Sequence, residues 1–399
     1  MNAKNLKKKR KQKRIIKTIF LSLVILTVFI VSFVIGNKIF NNNNSNAAKK
    51  NVISSASNTA NKVTPQSTPT VTLVPTKAAE DTEITLSSAG DCTLGMDDKT
   101  DFSLSLPGTL KKYNYDYSYF FKNVLDIFKN DDITTVNLET TFTNSTAKRD
   151  KGSGTQYNFK GSADFAKILT AGSVEAVNIS NNHIYDFGDT GFQDTITALK
   201  AENINYFGEN NKYIKEVKGV KLGFLGYGGW SDSDSFLEKV KSDIQDLKNQ
   251  NCIVIINFHW GIENEYTPND VQKHIAHFAI DNGADLIIGH HPHVIESIEK
   301  YNNKIICYSM GNFCFGGNTN PIDKDTFILQ TKFKIHDNKL SSYGIKIIPC
   351  SISSVDYTND YCPTPVSDSK KADILNKLNK LSINLDFQLK DDFYFINGQ

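Results

Sequence analysis

The sequence has almost no net charge, and it lacks the cysteine density of a disulfide scaffold. Its 45 basic and 43 acidic residues leave +2 over 399 positions. Nine of the basic groups lie within residues 1–17, which hold no acid, so the remainder of the chain carries −7. A mildly acidic body excludes nonspecific nucleic-acid binding, which needs basic patches to displace phosphate counterions, and no nucleic acid is expected as a partner. Six cysteines are too few to staple so long a chain. Cys252 and Cys307 fall in apolar runs and read as core residues. Cys350 and Cys362 flank a polar loop and are the pair to consider for a bridge. Charge is absent from Ile19 to Ile35, and apolar residues are sparse from Asn37 to about Thr82. Histidine is also scarce, eight in all, yet three occur within Gly289-His290-His291-Pro292-His293.

These gaps divide the chain. The uncharged span is of bilayer length, since about 18–20 residues at 1.5 Å each cross a core of about 30 Å. The basic block before it predicts a cytoplasmic N-terminus and an outer C-terminal domain. A cleaved signal peptide would carry a shorter apolar core and an A-x-A-like site, which Asn46-Ala47-Ala48 matches poorly. The expectation is therefore a basic cytoplasmic segment over 1–17, a transmembrane signal anchor over 18–36 and a disordered linker over 37–82, too poor in apolar residues to offset ordering entropy. A folded domain over 83–399 follows. The protein is expected at the cell membrane, single-pass, with that domain extracellular.

Within the domain one layout recurs. Ile84 to Ser88 alternates as a strand and leads to Gly90-Asp91. Ile133 to Leu138 leads to Glu139, Ala176 to Ser180 to Asn181-Asn182-His183, Cys252 to Phe258 to His259-Trp260-Gly261, and Leu286 to Ile288 to the histidine loop. Helix-like stretches intervene at Ser118 to Asn130, Ala163 to Ala171, Gly191 to Ala201 and Asn269 to Asn282. Strands alternating with helices imply α/β topology with right-handed crossovers, in which functional groups collect beyond the carboxyl ends of the strands. Thr326 to Ile335 and Tyr343 to Ile348 read as strands completing a second sheet. Asp368 to Leu385 reads as an amphipathic helix packed back on the body. His274 and His277 read as solvated helix histidines, and His336 falls in a hairpin turn.

An Asp, a Glu, an Asn and several histidines at strand ends form a mixed nitrogen and oxygen set suited to two divalent ions about 3.5–4 Å apart, the arrangement used for phosphate-ester hydrolysis. His183 with Asp186 three residues on fits a proton donor and the carboxylate that orients it. Asp186 equally fits a cap on the following turn or helix.

The ordered set Gly90-Asp91-Cys92-Thr93, Asn137-Leu138-Glu139, Asn181-Asn182-His183 with Asp186, His259-Trp260-Gly261-Ile262-Glu263, Gly289-His290-His291-Pro292-His293 and Ser309-Met310-Gly311-Asn312 resembles the CapA family of poly-γ-glutamate capsule biosynthesis proteins, within the calcineurin-like metallophosphoesterase superfamily. The resemblance implies a four-layer α/β/β/α sandwich holding two divalent ions (Mn, Fe, Zn or Mg). It implies Asp91, Glu139, Asn182, His259, His291 and His293 as metal ligands and His183 with Asp186 as catalytic residues. The superfamily's first motif is usually Asp-x-His, whereas Thr93 stands at the histidine position here, and Glu139 stands where an Asp usually bridges. Glu263 is a carboxylate that would compensate. Two functions follow from the resemblance. One is a metal-dependent hydrolase acting on a phosphoester or surface polymer. The other is a non-catalytic, metal-binding component of a capsule synthesis and export complex, with other subunits of that complex as partners.

Overall fold

In the computed structural model, residues 81–153, 155–337 and 339–397 are described. The basic segment, the expected membrane span and almost all of the expected linker lie outside them. Among the described residues no helix is long and apolar enough to cross a membrane.

Two sheets carry the fold. The first orders its strands as Thr364–Pro365, Lys339–Ser351, Asp325–His336, Thr82–Thr93, Ile133–Leu138, Ala176–Asn178 and Asn205–Phe207. Asn312–Phe315 also pairs with Thr82–Thr93, and Tyr394–Asn397 with Lys339–Ser351. The second runs Ile298–Tyr301, Lys304–Cys307, Leu286–His290, Cys252–Trp260, Val220–Gly229 and Tyr213–Val217.

Period-two alternation assigns each strand face to a different core. Ile253 and Ile255 enter a core shared with Ile133, Leu286, Ile288 and Phe224, which therefore lies between the sheets. Val254, Ile256 and Phe258 point the other way, onto Val240 and Ile244 of the helix Asp234–Asn249 and Ile275 and Ala279 of the helix Asp270–Asp281. The outer face of the first sheet, with Val136, Leu138 and Val177, meets Leu110, Phe128, Leu169 and Leu199 from helices on its own side. Ile374 and Leu378 of the helix Asp368–Leu381 join the core between the sheets.

Several expectations change in detail. The stretch Ser118 to Asn130 divides into a 3-10 turn, Tyr117–Phe121, and a short helix, Leu125–Lys129. Tyr119, Phe120 and Phe121 are all buried, and three consecutive buried side chains cannot share one α-helical face. Asn269 caps the helix Asp270–Asp281 through a reciprocal box with Gln272. The tail strands Asp325–His336 and Lys339–Ser351 lie in the first sheet, apart from the sheet of the histidine loop. Asp325–His336 pairs antiparallel with the first strand, Thr82 opposite Ile335 through Ser88 opposite Leu329. All six cysteines are free and buried, Cys350 and Cys362 included.

Candidate metal centre

The alternation that fills the core between the sheets also builds the site. Moving along the inward face of each strand, apolar residues give way to polar ones at the carboxyl end: Ile133 to Asn137 and Glu139, Ala176 to Asn178, Ile255 to Asn257 and His259, Ile288 to His290. Asp91 reaches this face by a different route. Ile84 and Leu86 face the second sheet, whereas Cys92 packs against the helices, so the strand has changed parity between them. The register against Ile133–Leu138 shifts between Ala89 and Asp91, a bulge that turns the Asp91 carboxylate inward and the Cys92 thiol away. At Gly90 a Cβ would stand 2.0 Å from the Gly311 carbonyl oxygen, so only glycine permits this close approach. Asp91 thus lies within a strand that continues to Thr93, not beyond its end.

The histidine loop is held in an unusual backbone. His291 and His293 have φ of 100° and 59°, left-handed conformations that cost a bulky residue about 1–3 kcal/mol unless the surroundings over-determine them. They do: the His291 N–H donates to Asp91 Oδ2 at 3.1 Å, and Asn312 donates to the His293 carbonyl oxygen at 3.2 Å while its Oδ1 meets His293 Nδ1 at 3.0 Å.

Glu139 sits at the centre. Its Oε1 lies 3.5 Å from His259 Nε2, 3.8 Å from His293 Nε2 and 3.9 Å from His183 Nε2. The residue is fully buried, yet neither carboxylate oxygen has a hydrogen-bond partner among the described residues, and His291 Nδ1 is equally unsatisfied. Burying a carboxylate this way costs several kcal/mol unless a cation compensates it. Donor atoms of Glu139, His259 and His291 lie within 4.8 Å of one another, as do those of Asp91, Glu139 and His293, and those of Glu263, His291 and His293. The first two groups share Glu139, so the residues fit two divalent cations with this carboxylate between them. Asn182, exposed at the rim, places Oδ1 2.8 Å from His259 Nε2 on the side of the first group.

Thr93 gives no ligand, because its hydroxyl donates to the Glu139 main-chain carbonyl at 3.1 Å. His290 is buried behind Asp91, with Nδ1 3.3 Å from Oδ1 and Nε2 2.9 Å from Asn257 Oδ1.

The charges follow from burial and proximity. Burial pushes Glu139 well above the usual carboxylate range. It pulls His259 well below the ordinary imidazole value and His291 to about 3, each helped by a neighbouring histidine. At His293 burial also acts downward, but Glu139 and Asp91 overcome it and raise the group to about 9. Burial opposes ionisation of Asp91 as well, and the imidazoles of His290 and His293, 3.3 and 3.5 Å from its oxygens, outweigh it, holding Asp91 well below its usual value.

His183 and Asp186 meet as expected, with Nδ1 2.7 Å from Oδ2. Asp186 does not cap the following helix, whose N-cap is Phe187, and instead accepts the Phe159 N–H at 2.7 Å. Burial lowers His183, against the upward pull of Asp186. No sequence signal marks Lys151, whose ammonium pairs with Asp186 Oδ1 at 2.5 Å and lies 3.3 Å from His183 Nδ1. Asn137 was also missed. It donates to Asp91 at 2.8 Å, contacts His259 Nδ1 at 3.2 Å and accepts from Asn178 at 2.9 Å. Its inward position two residues before Glu139 was the available signal. Trp230, half exposed, stands edge-on to His291 with ring centres 4.7 Å apart. The run Val220–Gly229, ending in Gly-Gly before it, marked a strand with a ligand-side terminus. His274 and His277 make separate pairs, with Asp232 and Glu299, and share no site.

Residues 85–317 match the family model described as bacterial capsule synthesis protein PGA_cap. The chain is 29% identical over 348 residues to the capsule biosynthesis protein CapA of Bacillus anthracis, covering 79% of this chain and 81% of that one. It is 32% identical over 215 residues to the PGA biosynthesis protein CapA of Bacillus subtilis, covering 49% of this chain and 56% of that one. Every residue of the metal cluster lies inside the matched span.

Proposed function

The chain belongs to the bacterial capsule synthesis protein family PGA_cap, and from that premise we propose that it is a membrane-anchored, extracellular hydrolase of phosphoesterase type that serves production of poly-γ-glutamate or a related surface polymer. The relatives' names support the process. The stacking of helices, two sheets and helices supports the four-layer sandwich of calcineurin-like metallophosphoesterases. The observation that carries the chemistry is Glu139 Oε1 within 4 Å of three imidazole Nε2 atoms, shared by two ligand groups.

Two divalent ions held by Asp91, Glu139, Asn182, His259, His291 and His293 would supply Lewis acidity toward a phosphoryl group and lower the pKa of the attacking water. The remaining work falls to the chain. His183 turns Nε2 toward the cluster because Asp186 holds its Nδ1–H. Lys151 and the Phe159 N–H fix Asp186 in turn. A phosphoryl group arriving beside His183 favours the protonated imidazole. As hydroxide oxygen bonds to phosphorus, the bond to the ester oxygen breaks, and that oxygen takes the Nε2 proton of His183.

Thr93 favours a second reading. Its hydroxyl is committed to the Glu139 carbonyl, so the Asp91 subsite has one ligand fewer than the superfamily pattern unless Glu263, grouped with His291 and His293, supplies it. A site with one weak subsite suits a non-catalytic, metal-binding member of a polymer synthesis and export complex. Purified protein titrated with Mn²⁺ and assayed on phosphomonoesters and phosphodiesters separates the two. Metal-dependent hydrolysis lost in His291→Ala supports the enzyme. Tight metal binding without turnover on either ester class supports the structural member.

A further inference from the structure

The metal cluster opens into one end of a cleft of about 860 Å³, where His183, His293 and Glu263 form the wall. Phe159 and Phe315 pack against the imidazoles of His183 and His293, with ring centres 4.4 and 4.9 Å apart. Leu104, Tyr157, Phe159, Tyr266, Phe315 and Ile322 contribute apolar surface. Four of these are among the exposed large apolar side chains: Leu104 at 56%, Tyr157 at 48%, Tyr266 at 37% and Ile322 fully exposed. Ile262, next to Glu263, is exposed as well. Grouping apolar side chains at the mouth of a polar site, where each forgoes about 25 cal/mol per Å² of burial, marks a surface kept for a ligand.

The charged lining narrows the ligand. Asp101, Glu263 and Asp323 face the cleft with a single lysine, Lys99. That lysine is engaged by the Gln156 carbonyl and lies 5.3 Å over the Tyr157 ring. Asp323 is held by Lys377 at 2.6 Å and by the Tyr266 hydroxyl at 2.8 Å. A polymer with a carboxylate on every residue needs a row of cations, and the lining supplies one lysine, already engaged. We propose that the cleft receives the esterifying group of the substrate and that this group is an apolar chain, not the anionic polymer itself. The proposal rests on the hydrolase reading for what the metal end holds, and it names the substrate class as a phosphoester of a lipophilic alcohol.

Because Leu104 and Ile322 are exposed and outside the metal cluster, Leu104→Ser/Ile322→Ser leaves folding and metal binding intact. Full-length protein in lipid nanodiscs with Mn²⁺ is titrated calorimetrically with methyl-, butyl- and hexylphosphonate, which cannot be hydrolysed as esters. Affinity should rise roughly two- to fourfold per added methylene, and the double variant should lose most of that slope. The variant also cancels partition into lipid, which is equal for both proteins. Affinity independent of chain length, an undiminished slope in the variant, or displacement of hexylphosphonate by a short γ-glutamate oligomer overturns the proposal, as does absence of phosphonate binding. Because the readout is binding, a chain-length slope without ester hydrolysis sinks the hydrolase reading and leaves the cleft assignment standing. Hydrolysis without the slope does the reverse.

Discussion

Replacing Glu139 by glutamine removes from the centre of the site the carboxyl whose ionised form attracts His293, while keeping its shape, and the effect should be read most sharply at His293. The Glu139 Oε1 to His293 Nε2 distance is 3.8 Å. At an effective dielectric constant of about 20 that attraction is about 4 kcal/mol, equivalent to about 3 pH units. Burial acts downward on His293, and the carboxylates of Glu139 and Asp91 together lift it to about 9. With Asp91 left in place, the Glu139→Gln group should titrate about 2–3 units lower, near the ordinary imidazole value. The sign for stability follows: a group raised in the folded state stabilises fully below its unfolded value of about 6.5 and loses that contribution as pH rises through the folded value. The metal-stripped wild type should therefore lose stability between about pH 6.5 and pH 9, and Glu139→Gln should be flatter across that window. Nitrogen NMR of histidine-labelled, metal-stripped protein follows each imidazole directly. A wild type with no histidine titrating above about pH 8, or a variant with His293 still near 9, would refute the electrostatic reasoning.

Other substitutions probe the frame around this charge. His291→Ala or His293→Ala should weaken metal binding by at least about 100-fold, whereas His274→Ala and His277→Ala should leave it unchanged; equal losses from all four would place the metal elsewhere. Gly90→Ala should destabilise the fold by about 3 kcal/mol or more, because the new methyl meets the Gly311 carbonyl at 2.0 Å, and thermal unfolding at wild-type temperature would contradict the close packing. For the proposed topology, protease added to wall-stripped cells should release a domain of nearly full length, and a protected C-terminal domain would overturn it.

Much of the site was legible because period two carries both burial and chemistry. Ile253, Ile255, Asn257 and His259 lie on one face, so a sequence that alternates apolar residues and then substitutes a ligand announces where it points. The histidine loop was visible for the same reason, following Leu286 and Ile288 on the inward face. The bulge at Gly90 was not, since parity alone would have turned Asp91 the other way, and the reason for the shift is the Gly311 carbonyl more than 200 residues away. Pairing partners were similarly hidden. Thr326 to Ile335 was a clear strand, but nothing local tells a strand which edge it will join, and it joined Thr82–Ser88. Lys151 lies in a polar, glycine-containing loop with no periodicity, so only the folded chain brings its ammonium to Asp186. The helix Asp234–Asn249 carried a readable stripe in Leu237, Val240, Ile244 and Leu247.

The most direct test of the hydrolase account is the leaving-group dependence of His183→Ala, a variant that removes the proton donor without removing a ligand. With two divalent ions still bound, it should hydrolyse alkyl phosphoesters about 10²–10⁴-fold more slowly than wild type, and nitrophenyl esters, whose leaving group needs no proton, with a much smaller loss. Equal losses on both substrates, or loss of the metals with the histidine, would contradict the assignment of His183 as the acid beside an intact metal pair.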